Sequence, residues 1–418
     1  MILLVSLSTI ASPKTPSHYP LAIVNVAAPQ LIPDDQLQQI RSIFPHTTKG
    51  IVHLDHAAVS PLSARVVEAT ITHLQDRSSG RIETFPEDLR QIQTTKVCIQ
   101  QLINAESPDR IALVGNTSDA LNIIASGLDW KPGDRILLND LEFPANIYPY
   151  FHLKNLGVEI DLIHCPDGRF TAEAIYESLK PRTRLLALSA VQYLSGYRSD
   201  LFVLGEICRS RGILFVVDGI QAVGAIPIDA QKMRIDALAA GAPKWQMGPQ
   251  GIGFLYLTEE VQARVNQKYL GWLAVENPFD FSDYDQAPAA SARRYEGGTI
   301  NIPGMWGYHA ALTTLLEYKG VSEGHILGLT QILIDELQKV DGIRLVSPSN
   351  LNERAGIVTI VPPDGVDPQA TFEALLKRNI IISLREGKFR YSPHFYNSTQ
   401  EIAFAVEATK ECFTRPAS

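Results

Sequence analysis

Cysteine is scarce in this chain. The four present, Cys98, Cys165, Cys208 and Cys412, stand far apart, with no CxxC pair and no Cys/His spacing of a metal site. That excludes a disulfide framework and a zinc module, and it points to buried thiols in a reducing, cytoplasmic setting. An excess of positive charge is missing too: 37 Lys and Arg face 45 Asp and Glu, a net charge of −8. No global footprint for nucleic acid or an anionic membrane follows from that balance. No apolar run reaches the length of a membrane span. Met1 to Leu7 is apolar but lacks a basic start, and Ser6, Ser8 and Thr9 break it before the proline-rich stretch Pro13 to Pro20. Residues 1–30 therefore read as a disordered extension rather than a signal peptide. Low-complexity tracts are absent as well, and 45% hydrophobic with 20% charged residues is the composition of a globular enzyme. No GxGxxG opens a helix after the first apolar run, which counts against a nicotinamide site.

What is there is alternation. Short apolar runs at Arg110–Gly115, Arg135–Leu138, Val158–Ile163, Leu185–Ser189 and Ile213–Val217 alternate with helical stretches such as Ala120–Gly127, Thr171–Leu179 and Leu201–Arg211. Continuous apolar strands separated by helices mark a parallel sheet covered on both faces, with ligands at the carboxyl ends of its strands. The spacing predicts an irregular loop over Pro278–Arg293 and a long helix over Pro303–Tyr318. From about Gly320 it predicts a second unit with a strand at Ile357–Val361. At 418 residues there is room for one large and one smaller domain.

Three elements carry candidate chemistry. Lys244 ends an apolar run among small residues, Ala239-Ala240-Gly241-Ala242-Pro243, where desolvation would lower its pKa and let it form a Schiff base. Asp218 ends the run Phe215-Val216-Val217, and a buried carboxylate there needs a partner such as the ring nitrogen of pyridoxal 5′-phosphate (PLP). Gln221, three residues on, would reach the same cofactor's ring oxygen. Asn116-Thr117-Ser118 precedes a predicted helix and would offer N–H groups and hydroxyls to a phosphate. Each has a plainer alternative: a snorkelling lysine, a capping or metal-binding aspartate, and an ordinary helix cap.

The same residues resemble the class V aminotransferase group of fold-type I PLP enzymes, which includes cysteine desulfurases, C–S lyases and isopenicillin N epimerase-like proteins. The similarity runs from about His53 to about Glu407 through Leu54-Asp55-His56-Ala57-Ala58-Val59-Ser60-Pro61, Thr117-Ser118-Asp119-Ala120 and Glu142-Phe143-Pro144-Ala145-Asn146. It continues through Val191-Gln192-Tyr193-Leu194-Ser195-Gly196, Val217-Asp218-Gly219-Ile220-Gln221-Ala222 and Lys244-Trp245 with Gly248-Pro249-Gln250-Gly251. The resemblance implies an α/β fold, with a mostly parallel seven-stranded sheet in a large domain and a smaller α+β carboxyl-terminal domain. The implied boundaries are an amino-terminal segment 31–60, a large PLP-binding domain 61–300, and a linking helix with the small domain over 301–418. It implies Lys244 as the cofactor-bearing and proton-shuttling lysine and Asp218 at the pyridine nitrogen. Gln221 or Gln192 would sit at the ring oxygen, Phe143 on the ring face, and Thr117 with Ser118 at the phosphate. Gly298 and Thr299 would reach the partner subunit's phosphate in a homodimer. Arg390 would grip the substrate's α-carboxylate, beside Ala58.

Two departures narrow the expectation. The family's Ser-x-His before the lysine is replaced by Gly241 and Pro243, leaving Gln246 and backbone N–H groups as substitutes. The stretch Ser383 to Phe389 before Arg390 is short and has no cysteine, so a persulfide-forming cysteine desulfurase is not expected. Transamination or a C–S lyase reaction without a protein cysteine is the expected chemistry, on an amino acid whose side chain meets Trp272 and the Arg385 loop. An epimerase and a non-catalytic dimeric scaffold are the alternatives.

Overall fold

The computed structural model describes residues 26–414, so most of the 1–30 extension lies outside the described residues. Seven strands form the main sheet: β2 (Ile111–Val114), β3 (Arg135–Asn139), β4 (Glu159–Ile163), β5 (Thr183–Ser189), β6 (Leu214–Asp218), β7 (Ala237–Gly241) and β8 (Gly253–Leu257). Their spatial order is β2-β8-β7-β6-β5-β3-β4. Only β8 runs against its neighbours.

Why these runs are strands is visible in where alternate residues go. Leu186, Leu188, Phe215, Val217, Leu238 and Ala240 enter one core, whereas Leu185, Ala187, Leu214, Val216, Ala237 and Ala239 enter another. A period of two with both faces apolar is what a doubly covered sheet requires. The strands are thereby buried over nearly their whole length.

A third core belongs to the carboxyl-terminal part. There β9 (Arg344–Leu345), β10 (Val358–Val361), β12 (Ser383–Arg385) and β13 (Lys388–Tyr391) form a four-stranded antiparallel sheet in the order β12-β13-β10-β9. The amino-terminal strand β1 (Val52–His53) pairs with β11 (Ile380–Ile381) beside it. This part therefore contains residues from both ends of the described chain.

Between the two sheets runs one 36-residue helix, Ile302–Leu337. The sequence predicts an end near Gly320, but the helix continues through it. A glycine in a helix interior costs about 1 kcal/mol, which packing overrides here. Gly324 and Gly328, one turn apart, supply the reason for some of its glycines. The chain at Ala28–Leu31 crosses there, and an added Cβ would stand 3.2 Å from the Ala28 carbonyl oxygen and 3.0 Å from Leu31. Gln30 N–H donates to the Gly324 carbonyl (2.9 Å) and Ile32 N–H to His325 Nδ1 (2.9 Å).

Candidate active site

Because β8 alone is reversed, the other six strands of the main sheet end on one edge. β6 ends at Asp218, and β7 ends at Gly241, three residues before Lys244. β3 ends at Asn139 and leads to Glu142 and Phe143. β2 ends at Val114, and α4 (Thr117–Gly127) begins three residues on. Numbering the earlier helices α1 (Asp34–Ser42), α2 (Ala64–Ser79) and α3 (Phe85–Ile103), α4 is the one that points its amino terminus at this edge. Asn116 caps α4 by accepting the Asp119 N–H at 2.9 Å. A cavity of about 530 Å³ opens there, lined among others by Ala58, Thr117, Ser118, Phe143, Asp218, Gln221, Lys244 and Arg390.

Two titratable groups in it are displaced from their ordinary values in opposite senses. Burial pulls the Lys244 amine down to about 8, against the attraction of Asp218 and with help from the Arg390 and Arg385 guanidiniums. Burial pushes the Asp218 carboxyl up to about 7. The Ile220 N–H opposes that, the charge of Glu142 adds to it, and Lys244 opposes it. Asp218 Oδ1 accepts one backbone bond, from Ile220 at 2.9 Å. The Lys244 Nζ lies 5.7 Å from the Phe143 ring centroid, and Phe143 meets Tyr193 edge-on at 5.4 Å.

The backbone around Lys244 is pinned from several sides. Ser60 N–H donates to the Pro243 carbonyl (2.8 Å), and Ser60 Oγ to the Lys244 carbonyl (2.5 Å). Trp245 is fully buried, its Nε1 donates to Gln221 Oε1 (2.8 Å), and His394 Nε2 stands 3.0 Å from its carbonyl oxygen. Gln221 also donates to the Ala57 carbonyl at 2.9 Å. Gly241 donates its N–H to Thr117 Oγ1 (2.9 Å), and a Cβ there would come within 3.2 Å of that oxygen. The glycine thus brings β7 against the start of α4. Gln246 does not reach the cavity: its amide donates to the Gly241 carbonyl (2.9 Å) and it accepts from Tyr308 (2.5 Å).

Sequence reasoning did not assign a role to Glu142. Its buried carboxylate accepts from Asn139 Nδ2 (2.7 Å), Asn146 Nδ2 (2.9 Å), Ser189 N–H (2.9 Å), Ser189 Oγ (2.5 Å) and Gln192 Nε2 (2.9 Å). Gln192 is thereby fixed, while its Oε1 is buried without a partner. Glutamate followed by an aromatic residue just past a strand end was the available signal, but three of its five donors come from the distant stretch at Ser189 and Gln192.

Arg390, on β13, is almost fully buried. Its Nη1 donates to the Tyr193 carbonyl (2.7 Å) and its Nη2 to Ser383 Oγ (3.1 Å), with Asp55 Oδ1 at 3.5 Å, and its Nε has no partner. Burial lowers the guanidinium's pKa, opposed by Asp55, and an arginine stays cationic nonetheless. Gly298 and Thr299 lie outside the lining of this cavity, and Thr299 is exposed. Trp272 also lies outside the lining, exposed with Phe279 and Phe281 and stacked on the half-buried Phe85. Cys98, Cys165 and Cys208 are buried and Cys412 is partly so. Among the described residues, no helix is long and apolar enough to cross a membrane.

Comparison with known proteins gives a consistent result. The family profile described as "Aminotransferase class-V" matches residues 52–398. An uncharacterized aminotransferase of Bacillus subtilis, YcbU, is 30% identical over 375 residues, 88% of this chain and 96% of that protein. A probable cysteine desulfurase of Pyrococcus abyssi is 29% identical over 398 residues, 89% of this chain and 95% of that protein. The apo structure of a cysteine desulfurase from Thermococcus onnurineus NA1 superposes with a TM-score of 0.81 at 25% identity, covering 92% of this chain and 99% of that one. These names correct one expectation, the exclusion of a persulfide-forming cysteine desulfurase. The physical reason is that the thiol that attacks the substrate sulfur need not be carried on this loop, so the lack of a cysteine between Ser383 and Arg390 does not exclude C–S cleavage of that kind.

Proposed function

The chain belongs to the aminotransferase class-V family, whose cofactor is pyridoxal 5′-phosphate, and on that premise we propose that it acts at the Cα of an α-amino acid with Lys244 as the cofactor-bearing lysine. The observation that carries this reading is the placement of Lys244 and Asp218 in one cavity, between the amino terminus of α4 and the unpartnered Nε of Arg390.

The residues fit the cofactor. Thr117, Ser118 and the first N–H groups of α4 would hold its phosphate, since a helix amino terminus favours an anion. Asp218, with a single backbone donor, has acceptor capacity left for a protonated ring nitrogen. Gln221, which lines the cavity and keeps one amide proton beyond its bond to Ala57, would lie at the ring oxygen, with Gln192 outside the lining as the alternative, and Phe143 would cover one ring face. When bound, the cofactor supplies an electron sink for negative charge developing at Cα.

The chain's own residues do the rest. Lys244, with an amine near 8, has a substantial neutral fraction at mildly alkaline pH and would accept and return the proton at the substrate's Cα. Arg390 would hold the α-carboxylate in its planar fork, oriented by Tyr193, Ser383 and Asp55. Ala58 leaves room beside it. Gly298 and Thr299, outside the cavity of their own chain, would serve a second copy in a homodimer.

Two outcomes share that first proton transfer. Cleavage of a C–S bond in a cysteine-type substrate is favoured by the desulfurase names of the relatives, and transamination by the YcbU name. Incubating purified holoenzyme with L-cysteine and L-cystine, and assaying sulfide, alanine and pyruvate, separates them. Sulfur release supports the first. Stoichiometric conversion of the cofactor to its pyridoxamine form, without sulfur release, supports the second. Neither result with any amino acid would contradict the reading.

A further inference from the structure

The cavity holds a second guanidinium that the proposed chemistry does not use. β12 and β13 form a tight hairpin in which Ser383 faces Arg390, Leu384 faces Phe389, and Arg385 faces Lys388. Residues opposite one another share a face of the sheet, and side chains alternate along each strand. Leu384 and Phe389 point into the apolar core of the smaller part. Arg385 and Arg390 therefore share the other face, one diagonal step or about 7–8 Å apart. Both line the cavity that contains Lys244.

Their surroundings differ. Arg390 is buried and anchored by Tyr193, Ser383 and Asp55. Arg385 is exposed and makes no ion pair with any carboxylate among the described residues. The neighbouring acid, Glu386, is taken by Lys388 at 3.0 Å. The hairpin turn, with Glu386 at φ 51° and Gly387 at φ 72°, carries Arg385 at the end of β12. An anchored cation suits a group common to all substrates, and an exposed, unpaired one at the rim suits a group that varies between them.

We propose that the preferred substrate is an α-amino acid whose side chain ends in a second anionic group, with Arg390 on the α-carboxylate and Arg385 on the distal anion. This rests on the PLP reading above. A charge-assisted contact at a partly solvated site discriminates a carboxylate from its neutral amide by about tenfold.

The test uses holoenzyme and two nearly isosteric pairs, L-aspartate with L-asparagine and L-glutamate with L-glutamine, titrated by the change in cofactor absorbance. The acidic member of at least one pair should bind about tenfold tighter than its amide. In Arg385→Gln that ratio should fall towards one, and Arg385→Lys should restore part of it. Raising ionic strength should shrink the preference, because the rim charge is screened. Equal binding of acid and amide, no absorbance change with either acid, or a ratio that Arg385→Gln leaves in place would each overturn the inference. Failure of the PLP reading is recognised separately, as a protein that takes up no cofactor on Lys244.

Discussion

Two cavities of similar size sit at opposite edges of the main sheet, about 530 Å³ at the carboxyl ends of its parallel strands and about 500 Å³ at their amino ends. The second is also rich in charge, with Arg209, Arg234, Arg264, Glu106, Asp236 and Glu260 in its wall. Several of its polar groups are paired with one another or with the backbone. Arg234 pairs with Glu206 at 2.7 Å, Tyr256 donates to Glu106 at 2.7 Å, and Asp236 accepts the Phe215 N–H at 2.8 Å. At the first cavity Asp218 has one donor, Arg390 Nε has no partner, and Lys244 is displaced towards its neutral form. Size does not distinguish a site from a crevice. What sets the first apart is convergence: a buried amine, a buried carboxyl and a buried guanidinium with bonding capacity unused face one space, where a ligand can offset the cost of burying them.

That contrast can be broken by substitution. Lys244→Ala should lower turnover the most, by at least about 10²–10⁴-fold, the usual range for losing a positioned proton carrier; a steady-state assay at saturating cofactor measures it. Glu142→Gln should cost on the order of 3 kcal/mol of stability, seen as a lower urea midpoint, because five donors lose a charged acceptor. Asp218→Asn should do the opposite in cofactor-free protein. A carboxyl raised to about 7 in the fold, against about 3.9 in the unfolded chain, binds more protons folded than unfolded between those values. Parent stability should therefore fall as pH rises from 4 to 7, by about 3 kcal/mol, while the Asn variant lacks that slope. Melting temperatures across that pH range decide it. Arg234→Ala, at the other cavity, should change stability by less than about 1 kcal/mol, because its ion pair is exposed. A large loss of activity in Arg234→Ala would erase the distinction between the two cavities.

What was legible in the sequence was local. Strand-end positions gave Asp218, Lys244 and the start of α4, because apolar runs and their terminating polar residues are adjacent in the chain. The links that hold the site together are not adjacent. Ser383 reaches Asp55 across 328 positions, and Ser60 reaches Lys244 across 184. No spacing rule encodes those contacts. Gly320 misled for a related reason. A glycine marks a helix end by local propensity, whereas α2 and α3 pack along the first half of the long helix and hold it through that position. Gln246 looked available beside Lys244, but the structure commits it to Gly241 and Tyr308.

The most direct measurement is borohydride reduction of the purified holoenzyme, followed by peptide mapping of the modified lysine. The account predicts a single phosphopyridoxyl adduct on Lys244, with loss of the visible absorption band. An adduct on any other lysine, or a protein that stays colourless and unmodified with added pyridoxal phosphate, would contradict it.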